Sequence, residues 1–198
     1  FGINPLGAVA KLSYGAALGE LIVGDVLDSL GQRWDVLHDV PLGSDVSLEH
    51  LVMGPGGVFA VRTANYRDLD VVIDGDIVLA AGRPHEDVEV CVEQADAASR
   101  VLSEAAGMSV PVQALLVVVA PRRLVVRHEP SGVMLATSES LERVLTRLPR
   151  VLSGEQVARV SDLADLELTW PDASDLHADT QRLHRDFTVV RAEVRTAW

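Results

Sequence analysis

Carboxylates within otherwise apolar segments are the side chains of this sequence best suited to chemistry. Glu20 lies on a predicted helix with apolar residues on both flanks, so we expect this side chain to be partly buried. Glu49 lies on a predicted strand directly before His50, and Arg62 lies on the next predicted strand. Carboxylate oxygens are the ligands that hard divalent cations prefer. The sequence shows no Ser-His-Asp or paired-cysteine arrangement that would indicate nucleophilic catalysis.

Several other polar residues have a simpler structural interpretation. Because side chains alternate along a strand, His50 faces away from Glu49, and we interpret it as a structural histidine. The single cysteine, Cys91, excludes an internal disulfide framework and is interpreted as an unreactive thiol. His177 and His184 could share a helix face and bind a metal together with an Asp, but a solvated amphipathic helix is the favoured interpretation.

An initial helix and a set of strands would position these residues. Apolar residues at helical spacing predict a helix over residues 15–30, preceded by an apolar arm over residues 1–14. The run Gly54-Pro55-Gly56-Gly57 predicts a type II turn with Gly56 at positive φ, and it lacks the Gly-Lys-Ser/Thr of a phosphate-binding loop. The predicted strands of this half span residues 34–40, 46–53, 58–63, 69–73 and 77–81.

The second half of the chain mixes helices and strands. Residues 112–119 are apolar at every position except Gln113, which predicts a central strand buried on both faces. Ser153 and Gln156 have the spacing of a capping box at the start of a helix. Apolar residues at near-helical spacing predict a C-terminal helical segment over residues 171–198. The other predicted elements are a loop over residues 82–87, a helix over 88–106, strands over 124–127 and 133–136, and a helix between Ser138 and Pro149.

Three local patterns occur in order along the chain and together carry a family resemblance. They are Gly15-Ala-Ala-Leu-Gly19-Glu20, then Asp39-Val-Pro-Leu with the run from Ser47 to Tyr66, and finally Val92-Glu93-Gln94-Ala95 with Val110-Pro111-Val112. Over roughly residues 15–120 these patterns resemble the nuclease-related domain (NERD) family of the PD-(D/E)XK nuclease superfamily. The resemblance implies an α/β fold with a central mixed β-sheet flanked by helices, here over residues 15–170, with C-terminal helices added.

The resemblance also implies which residues would form a nuclease site. In the family a Glu follows Gly-x-x-x-Gly, and here it is Glu20; an acidic residue precedes His on the second strand, and here it is Glu49. The family's Gln in the following helix matches Gln94. The family's third strand carries Glu-x-Lys, but these two positions hold Arg62 and Ala64. The resemblance therefore implies a degenerate site, with these five residues as a vestigial cleft and no intact catalytic set.

The replaced positions matter because of the chemistry that the family performs. Phosphodiester hydrolysis there uses Mg²⁺ or Mn²⁺ to polarise the phosphate and activate water. Arg62 places a permanent positive charge where a metal ligand is expected, and Ala64 has no group that can handle a proton. Two buried carboxylates that face each other need a positive charge nearby. We therefore expect the Arg62 guanidinium to contact Glu49, Glu20 or both. No cofactor is expected; if a metal does bind, Glu20 and Glu49 are its expected ligands.

The favoured function is therefore a binding or regulatory module with a catalytically degenerate NERD-like domain. Two alternatives stay open. One is a Mg²⁺- or Mn²⁺-dependent DNA endonuclease with a rearranged site, which would recruit other acids such as Asp39, Asp45 or Asp68. The other is a structural or oligomer-forming subunit that uses the arm over residues 1–14 or the C-terminal helix as its contact.

The charge balance bears on the class of partner. The 198 residues include 29 acidic and 17 basic side chains, for a net charge of −12. Loose binding to nucleic acid depends on Lys and Arg that neutralise phosphates, so this charge disfavours it and favours a protein partner or self-association. The C-terminal arginines alternate with acids, which favours a salt-bridged helix over a phosphate contact; they are Arg182, Arg185, Arg191 and Arg195.

Hydropathy bears on the location of the protein. The longest purely apolar run, residues 114–120, is far shorter than the roughly 20 residues that a membrane-spanning helix needs. The sequence therefore predicts no membrane insertion. It also shows no basic segment followed by an apolar stretch of the secretory type, so the cytoplasm is the default expectation.

Overall fold

The computed structural model describes residues 8–43 and 46–171, and for residues 8–14 it describes only the backbone. The helices are α1 (Ala8–Asp28), α2 (Asp87–Ala106), α3 (Leu141–Thr146) and α4 (Gly154–Ala164), followed by a 3₁₀ turn at Glu167–Thr169. The strands are β1 (Asp35–Gly43), β2 (Val46–Gly54), β3 (Gly57–Asn65), β4 (Asp70–Asp74), β5 (Ile77–Ala80), β6 (Arg83–His85), β7 (Val112–Val119), β8 (Arg123–His128) and β9 (Val133–Thr137).

The main sheet has five strands in the order β1-β2-β3-β7-β9. The first three strands form an antiparallel meander, and β7 and β9 extend it with parallel pairing, so the sheet is mixed. Helix α2 provides the crossover from β3 to β7, as parallel neighbours require. Strand β7 is buried from Ala114 to Val119, which explains why these six residues are all apolar, whereas Gln113 is exposed.

Both faces of this sheet are covered, and each has its own apolar cluster. Side chains alternate along β3, so Val58, Ala60 and Ala64 face α2. Phe59 and Val61 face the opposite side, where α1 and α3 lie. A second sheet of four strands, in the order β6-β5-β4-β8, packs its inner residues into the α2-side cluster. The mixed sheet flanked by helices is the fold class that the sequence predicted.

Several predicted elements are confirmed with shifts of one to three residues at their ends, and the capping box of α4 is present. The Ser153 hydroxyl accepts the Gln156 backbone N–H, and the Gln156 side chain accepts the Ser153 N–H.

Among the described residues, no helix has the length and apolar character that crossing a membrane would need. The predicted C-terminal helical segment lies outside the described residues from position 172 onward.

Three local predictions are wrong. Helix α1 begins at Ala8, so residues 8–14 of the predicted arm are helical; residues 1–7 lie outside the described part. The predicted loop over residues 82–87 contains the short strand β6, which pairs with β5. In the turn between β2 and β3, Gly57 rather than Gly56 has positive φ (132°), so this turn is not type II. The domain limits at residues 14 and 170 stay a prediction.

Candidate functional site

A fork between β2 and β3 forms the floor of the candidate site. The two strands pair from the turn at Gly54–Gly57 as far as His50 and Val61. Beyond that point β2 continues beside β1, and β3 continues beside β7. Glu49 lies at the fork, and its Oε2 accepts the backbone N–H of Thr63 at 2.6 Å. The carboxylate thus takes over a backbone donor that the separating strands leave without a ladder partner.

Arg62 occupies this fork on the α2 side. Its Nε donates to Asp87 Oδ1 at 3.2 Å, and its Nη1 lies 3.7 Å from Glu49 Oε1. The three side chains are largely buried, with 25%, 15% and 13% of the surface of Arg62, Glu49 and Asp87 exposed. The first contact is a charge-assisted hydrogen bond, and the second is a longer ion pair. The expected contact between Arg62 and Glu49 is therefore present, and the shorter contact with Asp87 was not predicted.

Asp87 links the start of α2 to the sheet. It is the first residue of the helix, where backbone N–H groups favour a carboxylate. Its second oxygen accepts the Tyr66 hydroxyl, and burial together with this carboxylate raises the pKa of Tyr66. Asp87 is not among the predicted site residues, because it falls in the predicted loop over residues 82–87. The available signal was an acid directly before a predicted helix, but nothing local indicated that it faces Arg62.

Helix α1 approaches β3 closely through Gly19. A Cβ atom at this position would lie 2.8 Å from Asn65 Cβ and 3.2 Å from Thr63 Cγ2. One turn earlier, the carbonyl of Gly15 accepts a hydrogen bond from the Asn65 side-chain amide. The Gly-x-x-x-Gly and Asn-Tyr patterns therefore form two sides of one contact. This contact places Glu20, directly after Gly19, near enough to Glu49 for its charge to act on that carboxyl.

The electrostatics of Glu49 reflect this environment. Burial and, to a smaller extent, the nearby charge of Glu20 raise the pKa of Glu49 to about 7. The hydrogen bond from the Thr63 N–H and the charge of Arg62 act in the opposite direction but do not offset the burial. The folded protein therefore takes up and releases the Glu49 proton near neutral pH. Burial likewise raises the pKa of Cys91, which is enclosed under α2, to about 12.

The remaining two predicted site residues lie on the α2 side of the sheet. Ala64 is 4% exposed and belongs to the apolar cluster beneath α2. Gln94 is also buried, and its Nε2 donates to the Ser47 carbonyl at 2.9 Å, which ties α2 to β2 two residues before Glu49. Its Oε1 has no hydrogen-bond partner among the described residues. The functional roles assigned to Glu20, Glu49, Arg62, Ala64 and Gln94 stay predictions.

The carboxylate oxygens at the fork are not arranged to bind a divalent cation. One oxygen of Glu49 accepts the Thr63 N–H and the other faces Arg62, while both oxygens of Asp87 accept hydrogen bonds from Arg62 and Tyr66. A cation would therefore have to displace the guanidinium. Within residues 8–43 and 46–171, no group of three or more His, Cys, Asp or Glu side chains is placed to hold a metal ion.

Of the acids that a rearranged site would recruit, two lie in the described part of the chain and have unusual backbones. Asp39 on β1 has φ of 53°, and Asp68 in the turn before β4 has φ of 62°. Such left-handed conformations are uncommon for residues other than glycine, although Asp tolerates them better than most. Asp45 lies outside the described residues.

Comparison with known proteins agrees with this arrangement at the level of the family. The family model of the nuclease-related domain (NERD) matches residues 15–119, which is just over half of the chain. The match runs from the helix glycines that contact β3 to the end of the central strand β7, and so includes every residue of the fork. Neither the curated proteins nor the solved structures contained a match to this chain. The chain belongs to the nuclease-related domain family.

Proposed function

We propose that this protein is a binding or regulatory module whose nuclease-like cleft has lost catalysis. The observation that carries the proposal is the Arg62 guanidinium, which lies between the carboxylates of Glu49 and Asp87. It supplies from within the chain the positive charge that such carboxylates need when they are buried together. The resemblance to the nuclease-related domain family implies a metal-binding Glu at this strand position. In this chain the position carries the positively charged guanidinium instead.

The second altered position supports the same proposal. Ala64 is a methyl group within the apolar cluster under α2. It cannot orient or deprotonate a water molecule, which is the task that the family's Lys would perform beside the metal. Restoring activity would thus require both a new metal ligand and a new base, whereas the fold needs neither for its packing.

The charge of the chain supports a protein partner over a nucleic acid. At a net charge of −12, the long-range field repels a phosphate backbone, and Arg62 is already paired with two carboxylates. Electrostatic attraction therefore favours a basic partner, and an uncharged partner meets no repulsion.

A cleavage assay with Mn²⁺ on plasmid and single-stranded DNA tests the proposal. The wild type is compared with Glu49→Ala and with the double variant Arg62→Glu/Ala64→Lys. Arg159→Glu/Ala158→Lys on the exposed face of α4 makes the same exchanges away from the cleft and serves as the matched control. We expect no cleavage by the wild type and by the control. Wild-type cleavage that Glu49→Ala abolishes would refute the proposal and support the rearranged nuclease.

A thermal-shift experiment keeps the test informative if the double variant does not cut. Ligands that bind only the folded state raise the unfolding midpoint with concentration. Mn²⁺ is expected to leave the wild type and the control unchanged but to stabilise Arg62→Glu, in which three carboxylates then share the fork. Equal stabilisation of the wild type would show that Arg62 does not stand in for a metal, and the proposal would fail.

The other open alternative, a structural or oligomer-forming subunit, uses segments that lie mostly outside the described residues. Chains lacking residues 1–14 or 172–198 test it by size-exclusion chromatography. An oligomeric state that neither deletion changes removes this alternative.

A further inference from the structure

A small groove lies between strand β1 and the C-terminal end of α4, away from the fork. It encloses about 130 Å³, and its apolar walls come from Leu37, Val40, Pro41, Ala164 and Trp170. Sites for small organic ligands and cofactors usually enclose about 300 Å³ or more. The groove is therefore the size for one amino-acid side chain rather than for a cofactor.

The wall beside α4 is held rigidly by hydrogen bonds. The indole Nε1 of Trp170 donates to the Ala164 carbonyl at 2.7 Å, and the Thr169 hydroxyl donates to the Leu163 carbonyl at 2.6 Å. Both carbonyls lie in the last turn of α4, where backbone N–H donors are scarce. Trp170 is only 7% exposed, so its ring is fixed in place before anything binds.

The rim of the groove is negatively charged. Asp165 and Glu167 both line it and are exposed, and within the described chain neither carboxylate contacts a cationic group. The C-terminal end of α4, which carries the negative end of the helix dipole, points to the same place. The other ionisable lining residue, His38, already contacts Asp28 at 3.1 Å and His50 at 2.7 Å. The groove thus combines apolar walls with a negative rim that has no cationic partner between residues 8 and 171 as far as the structure describes them.

The edge of β1 does not favour the addition of an extended strand. No described strand pairs with its outer edge, but Pro41 lacks an N–H, and Asp39 has a φ of 53° that interrupts the regular strand. A side chain that enters from the edge is compatible with this backbone, whereas a continuous ladder is not.

We propose that this groove receives a lysine or arginine side chain presented by a protein partner. The aliphatic stem of such a side chain would pack on the apolar walls, while its charged end would meet Asp165 and Glu167 at the rim. The occupant is complementary to the groove in size, in charge and in its division between apolar stem and polar end. This inference does not depend on whether the cleft at Arg62 is inactive.

The probe is the tripeptide acetyl-Ala-Arg-Ala-amide, with its Lys counterpart, titrated into the full chain. The indole N–H signal of Trp170 in a ¹H–¹⁵N spectrum, assigned with Trp170→Phe, reports on the groove. The matched peptide carries citrulline, which has nearly the shape of arginine but no charge. We expect a saturable shift of this signal with the Arg or Lys peptide and not with the citrulline peptide. Equal shifts with citrulline, or none with the cationic peptides, would overturn the proposal.

Two full-length variants separate the groove from bulk charge. Asp165→Asn/Glu167→Gln is expected to weaken binding about fivefold, because exposed ion pairs contribute little each. Asp162→Asn/Glu129→Gln removes the same charge from exposed positions outside the groove and is expected to bind like the wild type. Equal losses in both variants would show a general attraction to an acidic protein and would refute the proposal.

A third variant tests whether the chain fills its own groove. The C-terminal segment begins near Trp170 and contains four arginines, which are changed to Gln together: Arg182, Arg185, Arg191 and Arg195. Binding of the Arg peptide by this variant but not by the wild type would assign the groove to the chain's own arginines and overturn the proposal of a partner. Equal binding by both is the expected result.

Discussion

Glu49→Gln is expected to stabilise the protein at neutral and alkaline pH. In the folded state, burial and the charge of Glu20 raise the pKa of Glu49 from its ordinary value of 4.5 to about 7. Between these two pH values the folded chain binds more protons than the unfolded chain. Stability therefore falls as pH rises from about 4.5 to about 7, and the loss is complete above that range. Glutamine has no such ionisation, but it keeps an oxygen that can accept the Thr63 N–H.

The size of the effect follows from the same pKa difference. At about 1.4 kcal/mol per pKa unit, a rise from 4.5 to about 7 corresponds to about 3 kcal/mol. This value is an upper bound, because a Gln whose oxygen accepts the Thr63 N–H turns its amide NH₂ group toward the Arg62 guanidinium, where donor faces donor. The difference in unfolding free energy between Glu49→Gln and the wild type should thus be small near pH 4.5 and reach 1–3 kcal/mol, as an order of magnitude, near pH 8.

Urea unfolding at a series of pH values between 4.5 and 8 measures this difference. Taking the difference between two chains that vary at one side chain cancels the titration of most other groups. Glu93→Gln, an exposed residue on α2, controls for the removal of one negative charge from an acidic protein. A difference that does not change with pH, or that favours the wild type at pH 8, would refute the reasoning about burial at the fork.

Three further outcomes are expected from the same geometry. Arg62→Ala leaves two largely buried carboxylates without their cation and should cost about 2 kcal/mol in urea unfolding, against less than about 0.5 kcal/mol for Arg159→Ala on exposed α4. Gly19→Ala should destabilise by at least about 1 kcal/mol, because its Cβ would meet β3, whereas Gly15→Ala has open space and should not; thermal melts compare them. Cys91 should react with a maleimide at pH 8 only at the rate of unfolding, and rapid labelling of the native protein would contradict its burial.

The position of Arg62 opposite Glu49 could be predicted, because the face that a strand residue takes and its partner across a tight hairpin follow simple rules. Alternation along β3 fixes which face Arg62 takes, and the tight turn between β2 and β3 fixes which residue of β2 lies nearby. The start of α1 is predicted seven residues too late, because the expected helix begins at Gly15 and glycine is more typical of a helix end than of a helix interior. In the structure both glycines lie inside α1, and Gly19 meets Thr63 and Asn65 of β3, a contact that no local window of sequence contains.

The sequence by itself determined the family, the order of most elements and the replacement of Glu-x-Lys on the third strand. Each of these follows from local periodicity and from residue type. Only the tertiary structure decided that Asp87, 25 residues from Arg62, is its closest acidic partner, and that Trp170 closes a groove against β1. The physical reason is that such contacts depend on the crossover through α2 and on how helices pack on the sheet. Distances between elements distant in sequence are set by the packing of the whole core, which no single segment encodes.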